Sequence, residues 1–99
     1  MDYGKGIRLV RATRGVSQKD LAGRSGFDQS YISLIESGTR TPSVAALESI
    51  AKVLNIPMYL LLLLASEEND LRGITPDHAA ALGAHLLRIL TEFKDGAPE

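Results

Sequence analysis

The sequence predicts an all-α fold. Apolar residues recur at steps of three and four along most of the chain, and no stretch alternates apolar with polar residues over strand length. Helix start and stop residues also punctuate the chain at short intervals, so the helices are short. The first helix spans about residues 4–14, turns Ile7, Val10 and Arg11 inward, and is closed by Gly15 as a left-handed cap. Ser17 caps the second helix, with Asp20 three residues on as a short capping box; Leu21 and Ala22 face inward and the helix ends near Ser25-Gly26. Asp28 stands as the cap of a third helix that carries Tyr31, Ile32, Leu34 and Ile35 and stops at Ser37, before Gly38.

Ser43 starts a fourth helix whose stripe is Val44, Leu47, Ile50, Ala51 and Leu54, with Asn55 as its stop. Pro57 suits the first turn of a fifth, "PMYLLLLLA". "SEEND" is polar, a loop or a frayed end. Thr75-Pro76-Asp77 then reads as cap, first helical residue and dipole-favoured acid of a last helix over about 76–94. That helix places Leu82, Leu86, Ile89 and Phe93 on one seam, and "KDGAPE" beyond it frays.

A chain of 99 residues is one domain by length and long enough for a core without staples. It has no cysteine, which excludes disulfides and thiolate metal sites and suits a cytoplasmic protein. No apolar leader opens it, and the run "MYLLLLLA" is far short of the ~20 residues a membrane-spanning helix needs, so no membrane partner is expected. Net charge is −1, against a general polyanion binder. Its distribution is uneven: residues 1–42 hold seven basic and four acidic groups, and residues 43–99 hold four and eight. That asymmetry suggests a basic working face.

The two short helices within "SQKDLAGRSGFDQSYISLIESGTRTP" are joined by about four residues including a glycine, the pattern of a helix-turn-helix. In that motif the first helix crosses the DNA backbone and the second puts its N-terminal residues into the major groove. "SQKDLA", "YISLIESGTRTPS" and "LESIAKVLNI" resemble the lambda-repressor-like (Cro/cI-type) helix-turn-helix domain, from about Ile7 to Leu62. The resemblance implies a five-helix DNA-binding domain over 1–66. Residues 67–99 would add a linker and a dimerisation helix within the same compact unit.

Position by position, the resemblance assigns base reading to Gln29, Ser30 and Ser33. A glutamine pairs with an adenine edge, and a serine hydroxyl reads donors or acceptors. Leu34 is turned outward by the inward Ile32 and Ile35; it either touches a thymine methyl or is a half-covered leucine without a role. Gln18 is placed on a phosphate while bracing the recognition helix. Tyr31 either packs its ring and sends its hydroxyl to a phosphate, or is simply core. Thr39, Arg40 and Thr41 match the backbone-gripping loop, and Ser43 adds a donor at a helix start. Arg11 and Glu36 match a structural ion pair between the first and third helices.

The run "LLLLL" is apolar on every side, which a surface helix cannot be. Leu60, Leu61 and Leu64, with Leu82, Leu86, Ile89 and Phe93, are therefore expected at a homodimer interface; the competing reading folds the last helix back on its own domain. His78 and His85 stand seven apart, the wrong spacing for a metal pair on one helix, and neither metal nor cofactor is expected. No nucleophile–base set, phosphate loop or carboxylate pair suggests an enzyme. The function these readings predict is a dimeric, sequence-specific regulator of transcription on palindromic double-stranded DNA, most simply a repressor. A protein-capturing module such as an antitoxin, and a restriction–modification controller, are the alternatives.

Overall fold

A computed structural model describes residues 1–71 and 75–95 and, within the last helix, the side chains of only some positions. Among the described residues six α-helices follow in order: α1 (Tyr3–Arg14), α2 (Gln18–Ser25), α3 (Gln29–Glu36), α4 (Val44–Leu54), α5 (Met58–Ala65) and α6 (Pro76–Asp95), with a 3₁₀ turn at Glu68–Leu71 before α6. Among the same residues there is no strand.

The boundaries follow local chemistry. Backbone N–H groups in the first turn of a helix lack helical partners, and a capping oxygen satisfies one of them. Asp2 accepts from the Lys5 N–H, Ser17 from Asp20 and Ser43 from Ala46, each at 3.0 Å. Gly15 and Gly26 close α1 and α2 in the left-handed region, with φ of 68° and 79°. Asn55 does the same for α4 at φ 57°, as a residue type that tolerates this region better than most non-glycines. Thr75 accepts from the His78 N–H at 3.2 Å, as expected for the cap of α6. Asp28 departs from its predicted role: it occupies the cap position of α3 but its side chain makes no capping hydrogen bond.

Ile7, Leu21, Ile32, Ile35, Ile50, Leu54, Leu60 and Leu61 form the deepest part of the core. α1 packs on α3, α4 and α5; α2 packs on α3 and α4. The inward stripe of α4 holds at Leu47, Ile50, Ala51 and Leu54, but Val44 is 66% exposed. It opens the helix, and core contact begins with Ala46 and Leu47.

The leucine run is the main correction. Leu60 and Leu61, predicted at a subunit interface, are 2% and 1% exposed within the one chain. Leu64 is half-buried against the same core. α5 turns 105° from α4 and lies against both α4 and α1, so two of its sides are covered intramolecularly. Gly6 makes the approach to α1 close: a Cβ there would stand 3.0 Å from Ala65 Cβ and 3.1 Å from the Leu61 carbonyl oxygen. The side chains of the seam residues Leu82, Leu86, Ile89 and Phe93, and of His85, lie outside the described residues. Among the described residues no single helix is long and apolar enough to cross a membrane.

Candidate nucleic-acid interface

α3 has one anchored face and one open face. Ile32, Ile35 and Glu36 are buried, while Gln29, Ser30, Ser33 and Leu34 are exposed. The four exposed residues fall at i, i+1, i+4 and i+5, which is one side of a helix. Leu34 is 38% exposed, apolar surface set beside three polar neighbours.

The C-terminal end of α3 is held by polar side chains from two other helices. Arg11 grips the Glu36 carboxylate through two hydrogen bonds, 2.8 Å from Nε and 2.9 Å from Nη2, the predicted pair. Its Nη1 donates to the Val16 carbonyl at 3.0 Å. Gln18 donates to the same carboxylate at 3.1 Å, so its bracing role is visible. Arg8, for which the sequence raised no expectation, donates to the Glu36 backbone carbonyl. The hydrogen bonds to Glu36 hold the Arg11 guanidinium above its ordinary pKa despite partial burial. Two arginines at the carbonyl end of a helix also favour its dipole.

The loop after α3 is tied back to the helix. The Thr39 and Arg40 N–H groups both donate to the Leu34 carbonyl, at 2.9 and 3.1 Å, and Ser37 Oγ donates to it at 3.0 Å. Ser37 and Thr39 share a hydroxyl–hydroxyl bond of 2.9 Å. Gly38 makes this turn at φ 80°. The Arg40 guanidinium lies over the Tyr31 ring, 5.4 Å from its centroid, and Tyr31 rests against Phe27 with centroids 4.9 Å apart. Phe27, Asp28, Ser30, Tyr31, Leu34 and Arg40 line a shallow groove of about 420 Å³. Thr39, Arg40 and Thr41 are exposed in the loop between α3 and α4, and Ser43 is exposed at the start of α4, where its hydroxyl caps the helix.

A helix-turn-helix family model matches residues 7–61, more than half of the chain. The chain belongs to the Cro/cI-like, lambda-repressor-like helix-turn-helix family. Its relatives are transcriptional regulators, not enzymes. An uncharacterized HTH-type transcriptional regulator of Sinorhizobium fredii is 39% identical over 54 residues, which are 54% of this chain and 28% of that one. The chain thus spans about a quarter of that relative's length. The competence pilus inhibition repressor of Acinetobacter baylyi is 34% identical over 77 residues, 78% of this chain and 70% of that one. Among solved structures, the restriction-modification controller protein C.AhdI of Aeromonas hydrophila superposes with a TM-score of 0.59 at 35% identity, covering 61% of this chain and 91% of that one.

Within this helix-turn-helix frame the basic N-terminal half is less of a working face than its charge count suggests. Lys5 donates to the Ser66 carbonyl, Arg8 to Glu36, Arg11 to Val16, Arg14 to Asn55 and Arg24 to Val53. These acceptors sit in the last turn of a helix or just past it, where carbonyls lack helical partners. Much of the positive charge therefore completes helix ends. Burial pulls the Arg14 guanidinium below its ordinary pKa. A sequence signal for this use exists: the cations at 5, 8, 11 and 14 recur every three residues on one helix.

Proposed function

We propose that this chain is a dimeric, sequence-specific DNA-binding repressor acting on a palindromic operator. The observation that carries the reading is α3: Gln29, Ser30, Ser33 and Leu34 stand exposed on one face while the opposite face is buried and clamped by Arg8, Arg11 and Gln18. A rigid helix with an open polar face suits insertion into the major groove, where those four residues would read base edges. Gln18, Thr39, Arg40, Thr41 and Ser43 would hold the flanking phosphates and fix register, with the Tyr31 ring packed beside Arg40. The name of the Acinetobacter baylyi relative supports repression.

In this reading residues 1–66 bind DNA and residues 67–99 pair two copies, through the seam of Leu82, Leu86, Ile89 and Phe93. Two recognition helices would then reach major grooves about 34 Å apart on one side of the duplex. Selection of bound duplexes from a random pool, followed by sedimentation of the free protein, tests both parts. A palindromic consensus and a dimer are the expected results; an unordered set of bound sequences would remove the sequence-specific reading.

The similarity to C.AhdI over 91% of that protein favours a narrower version, a restriction–modification controller. It predicts that the selected operator lies upstream of the chain's own gene, beside genes for a nuclease and a methyltransferase.

A further inference from the structure

We infer that Tyr31 is a positioning residue for Arg40, its ring serving as the seat that fixes where the guanidinium meets the DNA backbone. The inference rests on the DNA-binding reading above and gives Tyr31 a different role from direct phosphate contact. Three observations carry it. The Arg40 backbone is already fixed, because its N–H and that of Thr39 both donate to the Leu34 carbonyl. The long side chain, otherwise free to swing, lies with its guanidinium 5.4 Å from the Tyr31 ring centroid. The ring cannot easily yield, because it is half-buried and backed by Phe27 at 4.9 Å.

A guanidinium over an aromatic ring is attracted by the ring's negative face, and this contact leaves its N–H groups free to donate to a phosphate. Arg40 shares one groove with Ser30 and Leu34. The seat therefore holds a cation beside the base-reading face before DNA arrives. Binding then loses less side-chain freedom than if Arg40 had to be ordered on contact. The attraction needs the π-face and not the phenolic hydroxyl, so phenylalanine should replace tyrosine and an aliphatic residue should not.

The test has two arms on the full chain. In the free protein, the Arg40 δ-methylene protons should show an upfield ring-current shift in the NMR spectrum, retained in Tyr31→Phe and lost in Tyr31→Leu. In DNA binding to the selected operator, Tyr31→Phe should stay within about two-fold of the parent, and Tyr31→Leu should weaken binding about two- to five-fold more than it does in an Arg40→Ala background. A purely structural role for Tyr31 would cost the same with and without Arg40, so the double-mutant comparison separates the two. Additive effects, an unshifted Arg40, or a Tyr31→Phe loss as large as that of Tyr31→Leu would each overturn the seat. Parent protein that binds no duplex would instead overturn the DNA-binding reading beneath it.

Discussion

At its C-terminal end α3 is gripped by Arg8 and Arg11 from α1 and by Gln18 from α2, all converging on Glu36. At its N-terminal end Asp28 occupies the cap position without making the bond, and Gln29 and Ser30 are exposed. One end is fixed by the fold and the other is left open. The contrast teaches how a helix of 8 residues, too short to be stable alone, can present its first turn to a partner: its rigidity comes from tertiary contacts at the far end. Substitutions that load one end and spare the other should therefore have different signatures.

The largest effect should come from the clamp. Arg11→Ala leaves the Glu36 carboxylate, only 4% exposed, with Gln18 as its side-chain partner. Removing one member of such a pair costs roughly 3–5 kcal/mol, read as a fall in the urea midpoint. A loss under about 1 kcal/mol, the range of an exposed ion pair, would mean the clamp does not determine stability. DNA recognition should fail along with folding here, so this variant reports on the fold alone.

Next in size is a pair of glycine substitutions with opposite signs. A Cβ on Gly4 would stand 2.5 Å from the Ile35 carbonyl oxygen and 2.7 Å from that of Glu36, both backbone atoms at the clamped end of α3. Gly4→Ala must push α1 and α3 apart and should cost about 1–3 kcal/mol, as overpacking does. Gly23, inside α2, has open space where a Cβ would stand, with nothing within 4 Å. Gly23→Ala should stabilise by roughly 0.4–1 kcal/mol through helix propensity and chain entropy. Thermal melts of the two variants that moved in the same direction would contradict the packing account.

Capping gives a smaller and more local comparison. Ser17→Ala and Ser43→Ala each remove an observed hydrogen bond and should cost about 1 kcal/mol. Asp28→Ala removes none and should cost less, about 0.3 kcal/mol, the low end of the exposed helix-dipole contribution. Equal losses at all three sites, read from the same denaturant titrations, would show that Asp28 caps α3 in solution.

These contrasts also mark where the sequence was legible. The caps at Ser17, Ser43 and Asn55 and the pairing of Arg11 with Glu36 could be read because each depends on residue type at a fixed local spacing or on a family motif. The burial of Leu60 and Leu61 could not. Five consecutive leucines say that every side of α5 is apolar, but not which neighbour covers each side, and here α1 and α4 do. Val44 fits the apolar stripe by spacing and still lies exposed, because periodicity does not tell where along a helix the contact starts. Arg8 and Gly4 were illegible for a related reason: their roles depend on where the end of α3 falls against α1. Of the candidate interface, the exposure of Gln29, Ser30, Ser33 and Leu34 followed from Ile32 and Ile35 being buried. Arg40 lying over Tyr31 depends instead on a side-chain path around the Gly38 turn.

The open end should respond in the reverse manner, with the smallest change in stability and the most selective change in recognition. Gln29 and Ser30 are exposed, so Gln29→Ala and Ser30→Ala should shift stability by no more than about 0.5 kcal/mol. Each should nevertheless relax base preference at one operator position, by about 1–3 kcal/mol where the lost contact is bidentate. Arg40→Ala differs in kind: it should weaken all duplexes alike and reduce the salt dependence by about one counterion. Binding measured on the consensus and on single-base variants, at two salt concentrations, separates these signatures. Should Gln29→Ala instead weaken every duplex equally, the first turn of α3 would be a backbone contact, and the reason for leaving that end unclamped would have to be sought in something other than base reading.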